Sequence, residues 1–222
     1  MKITCDIIME NLKGLPFLCD FKYRKSSPRR FYIKDKERIL YVEFACNNYG
    51  GMLFLEPSYG VRYNILHKWF EKFCKRSLKA QRDSYSYAFT GKMIDNNQES
   101  FFYFDCDGKN YDDLFFRLVQ EMQMNIHYLF AHYGNLQLCF QTVIEPYLRD
   151  EKQMPISGID WAFDDLALCK LVSPEKFPPF KSMVMKHLEW LRSRDEPNVM
   201  LYGKEIENIV HYLETTDITK IR

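Results

Sequence analysis

The chain has 222 residues, 46% of them hydrophobic, with 31 Lys/Arg against 30 Asp/Glu and a net charge of +1. That composition excludes a disordered or strongly single-charged chain, and the length is enough to bury a real core. No run approaches the ~18 apolar residues of a membrane span, and Asp6 and Glu10 replace a long apolar leader, so the expectation is a soluble cytoplasmic protein with no membrane partner.

Thr4 is placed to cap a first helix running to about Lys13, with Ile7, Ile8 and Leu12 on one face; Gly14 and Pro16 end it. Asp20 to Arg24 reads as a short strand. Three antiparallel strands are then expected between Arg29 and Leu55. Phe31-Tyr32-Ile33 is the first. Arg38 to Cys46 is the second, with Leu40, Val42, Phe44 and Cys46 on one face and Ile39, Tyr41, Glu43 and Ala45 on the other. Asn47 to Gly51 supplies the hairpin turn, Met52 to Leu55 returns, and Pro57 stops that strand or marks an edge. Val61 to Phe73 follows as a helix with an Ile65, Leu66, Trp69, Phe70, Phe73 stripe, its polar side continuing through Lys72, Lys75, Arg76, Lys79 and Arg82. Tyr85 to Phe89 and Phe101 to Phe104 are two further strands, with a second hairpin between them.

Beyond residue 110 the pattern turns helical. Asn110 is a good N-cap, with Asp112 and Asp113 in the first turn. Leu114, Leu118, Met122, Ile126, Leu129 and Tyr133 form a seam that Gly134 ends. Asn135 to Arg149 is a helix kinked or shortened by Pro146. Ser157 to Asp160 resembles a capping box for a helix through Leu171. Pro178-Pro179 breaks the next start, a helix from Phe180 ends near Arg194, and Ile206, Ile209, Val210 and Leu213 mark the last. The fold class is therefore α+β: an antiparallel sheet of about five strands from residues 20–105, covered by helices, with an all-helical C-terminal layer. One domain over 1–222 is expected, in sub-layers 1–109 and 110–222. Residues 1–111 hold 19 Lys/Arg and 13 Asp/Glu, so the surplus positive charge lies in the first half.

Seven Cys, at 5, 19, 46, 74, 106, 139 and 169, are odd in number, widely spaced and without a CxxC pair. Reduced buried thiols are expected, in preference to disulfides or zinc ligands. His127 and His132 are five apart and do not share a helix face. Asp105 to Asp112 has a calcium-loop flavour, but its glycine comes too early and Phe116 occupies the bidentate position. Asp160, Asp164 and Asp165 read as the wet side of a helix start rather than acid/base carboxylates. No cofactor or catalytic motif stands out.

Two surfaces are candidates. Lys22, Arg24, Lys25, Arg29 and Arg30, interleaved with Phe21, Tyr23, Phe31 and Tyr32, offer charge for phosphate and rings for bases, or else a solvated edge that resists aggregation. Tyr85 and Tyr87 are a candidate aromatic surface. Their strand lacks the Arg/Lys-Gly that opens the RNA-recognition motif. The fifteen Tyr and eighteen Phe exceed what most cores need, so some are expected at a groove or interface.

The N-terminal helix, the Phe31-Tyr32 strand, the Tyr41-Val42-Glu43-Phe44 strand and the glycine turn into Met52-Leu53-Phe54-Leu55 resemble a group of uncharacterised bacterial α+β domains over about residues 1–60. Some of those look like immunity proteins of toxin systems. The resemblance rests on strand pattern and carries no functional residue. The leading expectation is a non-catalytic protein-interaction or binding module whose partner is another protein. The alternatives are single-stranded nucleic-acid or other anionic-ligand binding through Lys22–Arg30, and an enzyme whose site is assembled from dispersed residues.

Overall fold

The computed structural model describes residues 2–77, 80–81, 84–99 and 101–221. Lys79 and Arg82, which extend the basic helix face in the sequence, lie outside these. The chain forms two compact units, Met1–Arg62 with Tyr87–Ala131 and Tyr63–Ser86 with His132–Arg222. The class is α+β, as the periodicity predicts.

The first unit holds the sheet. Helix α1 (Cys5–Lys13) is capped by the Thr4 hydroxyl, which accepts from the Ile7 N–H. Strands β1 (Lys22–Arg24), β2 (Arg29–Lys34), β3 (Arg38–Tyr49) and β4 (Met52–Tyr63) run in sheet order. Strands β5 (Tyr87–Phe89) and β6 (Phe102–Asp105) both pair antiparallel with β4, at Tyr59–Val61 and Met52–Leu55. Leu40, Val42, Phe44, Leu53, Leu55, Phe102 and Phe104 alternate onto one buried face. Helix α2 (Tyr111–Tyr133) buries Leu118, Met122, Ile126 and Leu129. Its Tyr111 and Tyr128 rings meet Phe104 and Phe89, which sets the helix on that face.

Three strand-level expectations and one helix cap are corrected. The turn of the long hairpin is Gly50-Gly51 alone, at φ of 58° and 83°, while Asn47 to Tyr49 stay extended. Pro57 does not stop β4. Residues 56–58 fall between the stretches of β4 that pair with β6 and with β5, where the ladder on that side is already interrupted. No hairpin joins β5 to β6, because Gly91–Ile94 forms a helical turn and both strands pair with β4 instead. Asn110 precedes α2, but its side chain turns back, accepting from the Asp105 N–H at 2.8 Å and donating to the Tyr103 carbonyl at 2.9 Å.

The thiol expectation is corrected too. Cys5 and Cys46 form a disulfide that ties α1 to β3, and five cysteines are free. The spacing of 41 residues hides a pair that the fold brings together. This bond removes the support that reduced thiols gave to a cytoplasmic location.

In the second unit the helix expected over Val61–Phe73 is only α3 (Asn64–Lys68), since β4 runs on to Tyr63. Trp69, Phe70, Phe163 and Tyr202 still pack as a core, with the Phe70 and Phe163 ring centroids 4.5 Å apart. Asn135 caps the helix that follows it, accepting from the Leu138 N–H at 2.9 Å, and a π turn over Phe140–Ile144 comes just before Pro146, supplying the irregularity that the missing N–H requires. Helix α4 (Asp160–Val172) starts without a side-chain cap, so Ser157 is not part of a capping box. Helix α5 (Phe177–Arg192) takes Pro178 and Pro179 into its first turn, where no N–H is needed, and is not broken by them. Among the described residues no helix is long and apolar enough to cross a membrane.

Candidate functional site

Strand alternation that buries one sheet face leaves the other to be accounted for. On β3, Ala45, Asn47 and Tyr49 point away from the helices; on β4, Phe54 and Glu56; beside and on β6, Phe101 and Tyr103. Phe54 and Tyr103 are register partners with ring centroids 4.8 Å apart, edge to face, and Phe101 lies 6.3 Å from Tyr103. Ala45, Asn47, Tyr49, Phe54, Glu56 and Phe101 line a hollow of about 290 Å³. Tyr49 is 79% exposed, Tyr103 43% and Phe101 40%. Rings that present area at low entropic cost, with one carboxylate and one amide for orientation, are what a protein partner's contact surface needs. The sequence carried the signal. Read at period two, Phe101-Phe102-Tyr103-Phe104 splits into an outer pair and a fully buried inner pair.

The basic segment is placed differently. Lys25 and Arg29 both bind Asp6, at 2.8 and 2.7 Å, and these bonds hold the Asp6 carboxyl down at about 2. Arg30 is buried, forms an ion pair with Glu43 and lies over the Tyr41 ring at 4.3 Å. Arg24 faces Arg30 across the β1–β2 ladder and Lys22 faces Tyr32; Lys22 is exposed. Lys25, Arg29 and Arg30 therefore each have a carboxylate partner within the fold.

Tyr87 is half-buried on β5 opposite Val61, and Tyr85 is half-buried in the second unit. Tyr85 lines a polar cleft with His67, Cys74, Arg76, Asp160 and Asp164. There the His67 Nε2 lies 2.9 Å from the Ser86 hydroxyl and 3.9 Å from Asp164. Ser86 also accepts from the Tyr63 N–H, and Arg76 forms an ion pair with Asp160. Asp164 and Asp165 are buried, which corrects the expectation of a wet helix side. Serine and carboxylate both approach the same ring nitrogen, so Asp164 does not orient the imidazole from its far side as a nucleophile-activating triad requires. The cleft's volume of about 50 Å³ suits a water or two rather than a substrate. In the Asp105–Asp112 loop, Asp107 is held by Lys109 at 2.8 Å. Among the described residues no three His, Cys, Asp or Glu converge on a metal position.

No family model, no curated protein and no solved structure matches the chain.

Proposed function

We propose that the chain is a non-catalytic binding module that docks another protein on the open outer face of β3, β4 and β6. The exposed Tyr49, Phe101 and Tyr103 rings, with the half-buried Phe54 among them, carry this proposal. Such a surface costs solubility and contributes little to the fold, so its natural use is burial against a partner. Glu56 and Asn47 at its margin favour a partner presenting apolar side chains beside a cation. A neutralising, immunity-type role is the form suggested by the strand pattern of residues 1–60. The internal pairing of Lys25, Arg29 and Arg30 supports a protein partner over nucleic acid, which would need those charges for phosphate.

The test is affinity capture from a lysate of the source organism, with and without nuclease and across a salt series. One near-stoichiometric protein that survives nuclease is the expected result. Recovery of nucleic acid that is lost steeply as salt rises would overturn the proposal and move binding to Lys22–Arg30.

A further inference from the structure

Helix α5 carries two stripes. Phe177, Phe180, Val184, Leu188 and Leu191 are buried. Met183, Lys186, His187 and Trp190 recur at i, i+3, i+4 and i+7, roughly a third of a turn around the helix from the first stripe. The segment between Leu148 and Asp160 faces this second stripe and is pinned at several points. Asp150 turns the chain at a φ of 57°. Glu151 donates its N–H to the Pro146 carbonyl at 2.8 Å, and the His187 Nε2 lies 2.8 Å from the Pro155 carbonyl. Gly158 donates its N–H to Glu196 at 3.1 Å, and the Trp161 indole N–H reaches the Gly158 carbonyl at 3.2 Å.

The result is an open, preformed groove of about 560 Å³. Met154 and Ile156 line it from the loop, and Met183 and Trp190 from the helix, with Ile156 73% exposed. Each wall also brings a lysine, Lys152 from the loop and Lys186 from the helix. Among the described residues neither lysine has a carboxylate at ion-pair distance; Lys152 lies instead over the Tyr147 ring at 5.2 Å. Arg194 adds a third cation, 4.4 Å over the Trp190 ring. Among the described residues Asp150 is the one carboxylate lining the groove.

We infer that this groove is a second docking site, and that it takes an acidic amphipathic peptide segment of a partner protein. Methionines adapt to varied apolar side chains, and Trp190 offers a rigid anchor. Bulky apolar residues at helical spacing would fill the trough between Met154, Ile156, Met183 and Trp190, as in other helix-in-groove recognition. Carboxylates flanking them would meet Lys152 and Lys186. A basic segment would be repelled from both walls. The site is distinct from the sheet face, so each can fail without the other.

The probe is a synthetic peptide with Leu at i, i+3, i+4 and i+7 and Glu between, titrated into the full chain while tryptophan fluorescence and heat are followed. Trp69 is buried, so the response to a ligand in the groove comes from Trp190 and from the half-buried Trp161, whose ring packs against His187. Saturable binding that weakens with salt is expected, with a loss of roughly tenfold or more in K152E/K186E. Both lysines are exposed, so that variant keeps its fold. The same peptide with Lys for Glu should not bind, and a sheet-face variant should bind normally. Equal binding of acidic and basic peptides, or an unchanged affinity in K152E/K186E, would overturn the inference. So would absence of peptide binding, including a case in which decanoate alone binds and marks a small-molecule site.

Discussion

At the scale of single residues, the fold spends its charges locally. Asp6 receives Lys25 and Arg29, which joins the first turn of α1 to the loop before β2 and to β2 itself. Because the folded carboxyl sits near 2, below the ordinary value of 3.8, its contribution is fully present above the ordinary value. It is lost as pH falls through the folded value. Asp6→Asn should therefore lower the melting temperature at pH 6, and the gap to wild type should close between pH 4 and pH 2; a gap constant with pH would show that the ion pairs contribute nothing. None of this pairing is legible in sequence. Lys22 to Arg30 looks like a free basic patch because Asp6 and Glu43 lie in other elements. Gly91 makes the same point. A Cβ there would collide with the Gln98 Oε1 and come within 2.8 Å of the Asn125 Nδ2, a buried amide pair that bonds at 2.8 Å. No local pattern in the chain announces that contact.

At the scale of elements, periodicity was the informative signal. The faces of β3 and the capped α1 emerge as read, because both follow from alternation, spacing and one capping hydroxyl. The turn into β4 is shorter than the Asn47–Gly51 stretch predicts. Asn47 and Asn48 tolerate turn conformations, but only Gly50 and Gly51 adopt positive φ. Replacing either by Ala meets no steric neighbour, so the cost should be backbone strain alone, about 1–2 kcal/mol by denaturant unfolding. Gly50→Asn should recover most of it, since Asn tolerates the left-handed region; equal losses for Ala and Asn would point to a different cause. Prolines misled in the opposite direction. Pro57, Pro178 and Pro179 read as breakers, yet each sits where no ladder or helix hydrogen bond depends on its nitrogen. Their role depends on partner strands and on helix start, which are tertiary facts.

At the scale of the whole molecule, the charge asymmetry between sequence halves disappears. The unit of residues 1–62 and 87–131 has 14 Lys/Arg and 14 Asp/Glu, and the other has 17 and 16. Neither unit carries a net charge large enough to steer a charged partner by its sum alone. Among the described residues, the Cys5–Cys46 bond is the one covalent constraint beyond the backbone. Closing a loop of its sequence separation of 41 restricts the unfolded chain by up to about 4 kcal/mol. Denatured protein should titrate five thiols before reduction and seven after, and reduction should lower the denaturation midpoint. Seven thiols at the outset would remove the bond from the description.

The claim that matters most is that the partner docks on the ring cluster of the sheet and not on the basic segment. Two exposed-residue variants should be compared with wild type in parallel captures of the same partner: Tyr49→Ser with Phe101→Ser, and Lys22→Glu with Lys25→Glu. Loss of the partner from the aromatic variant, with near wild-type capture by the charge variant, is the expected result. Capture unaffected by the aromatic changes but abolished by the charge reversal would contradict it.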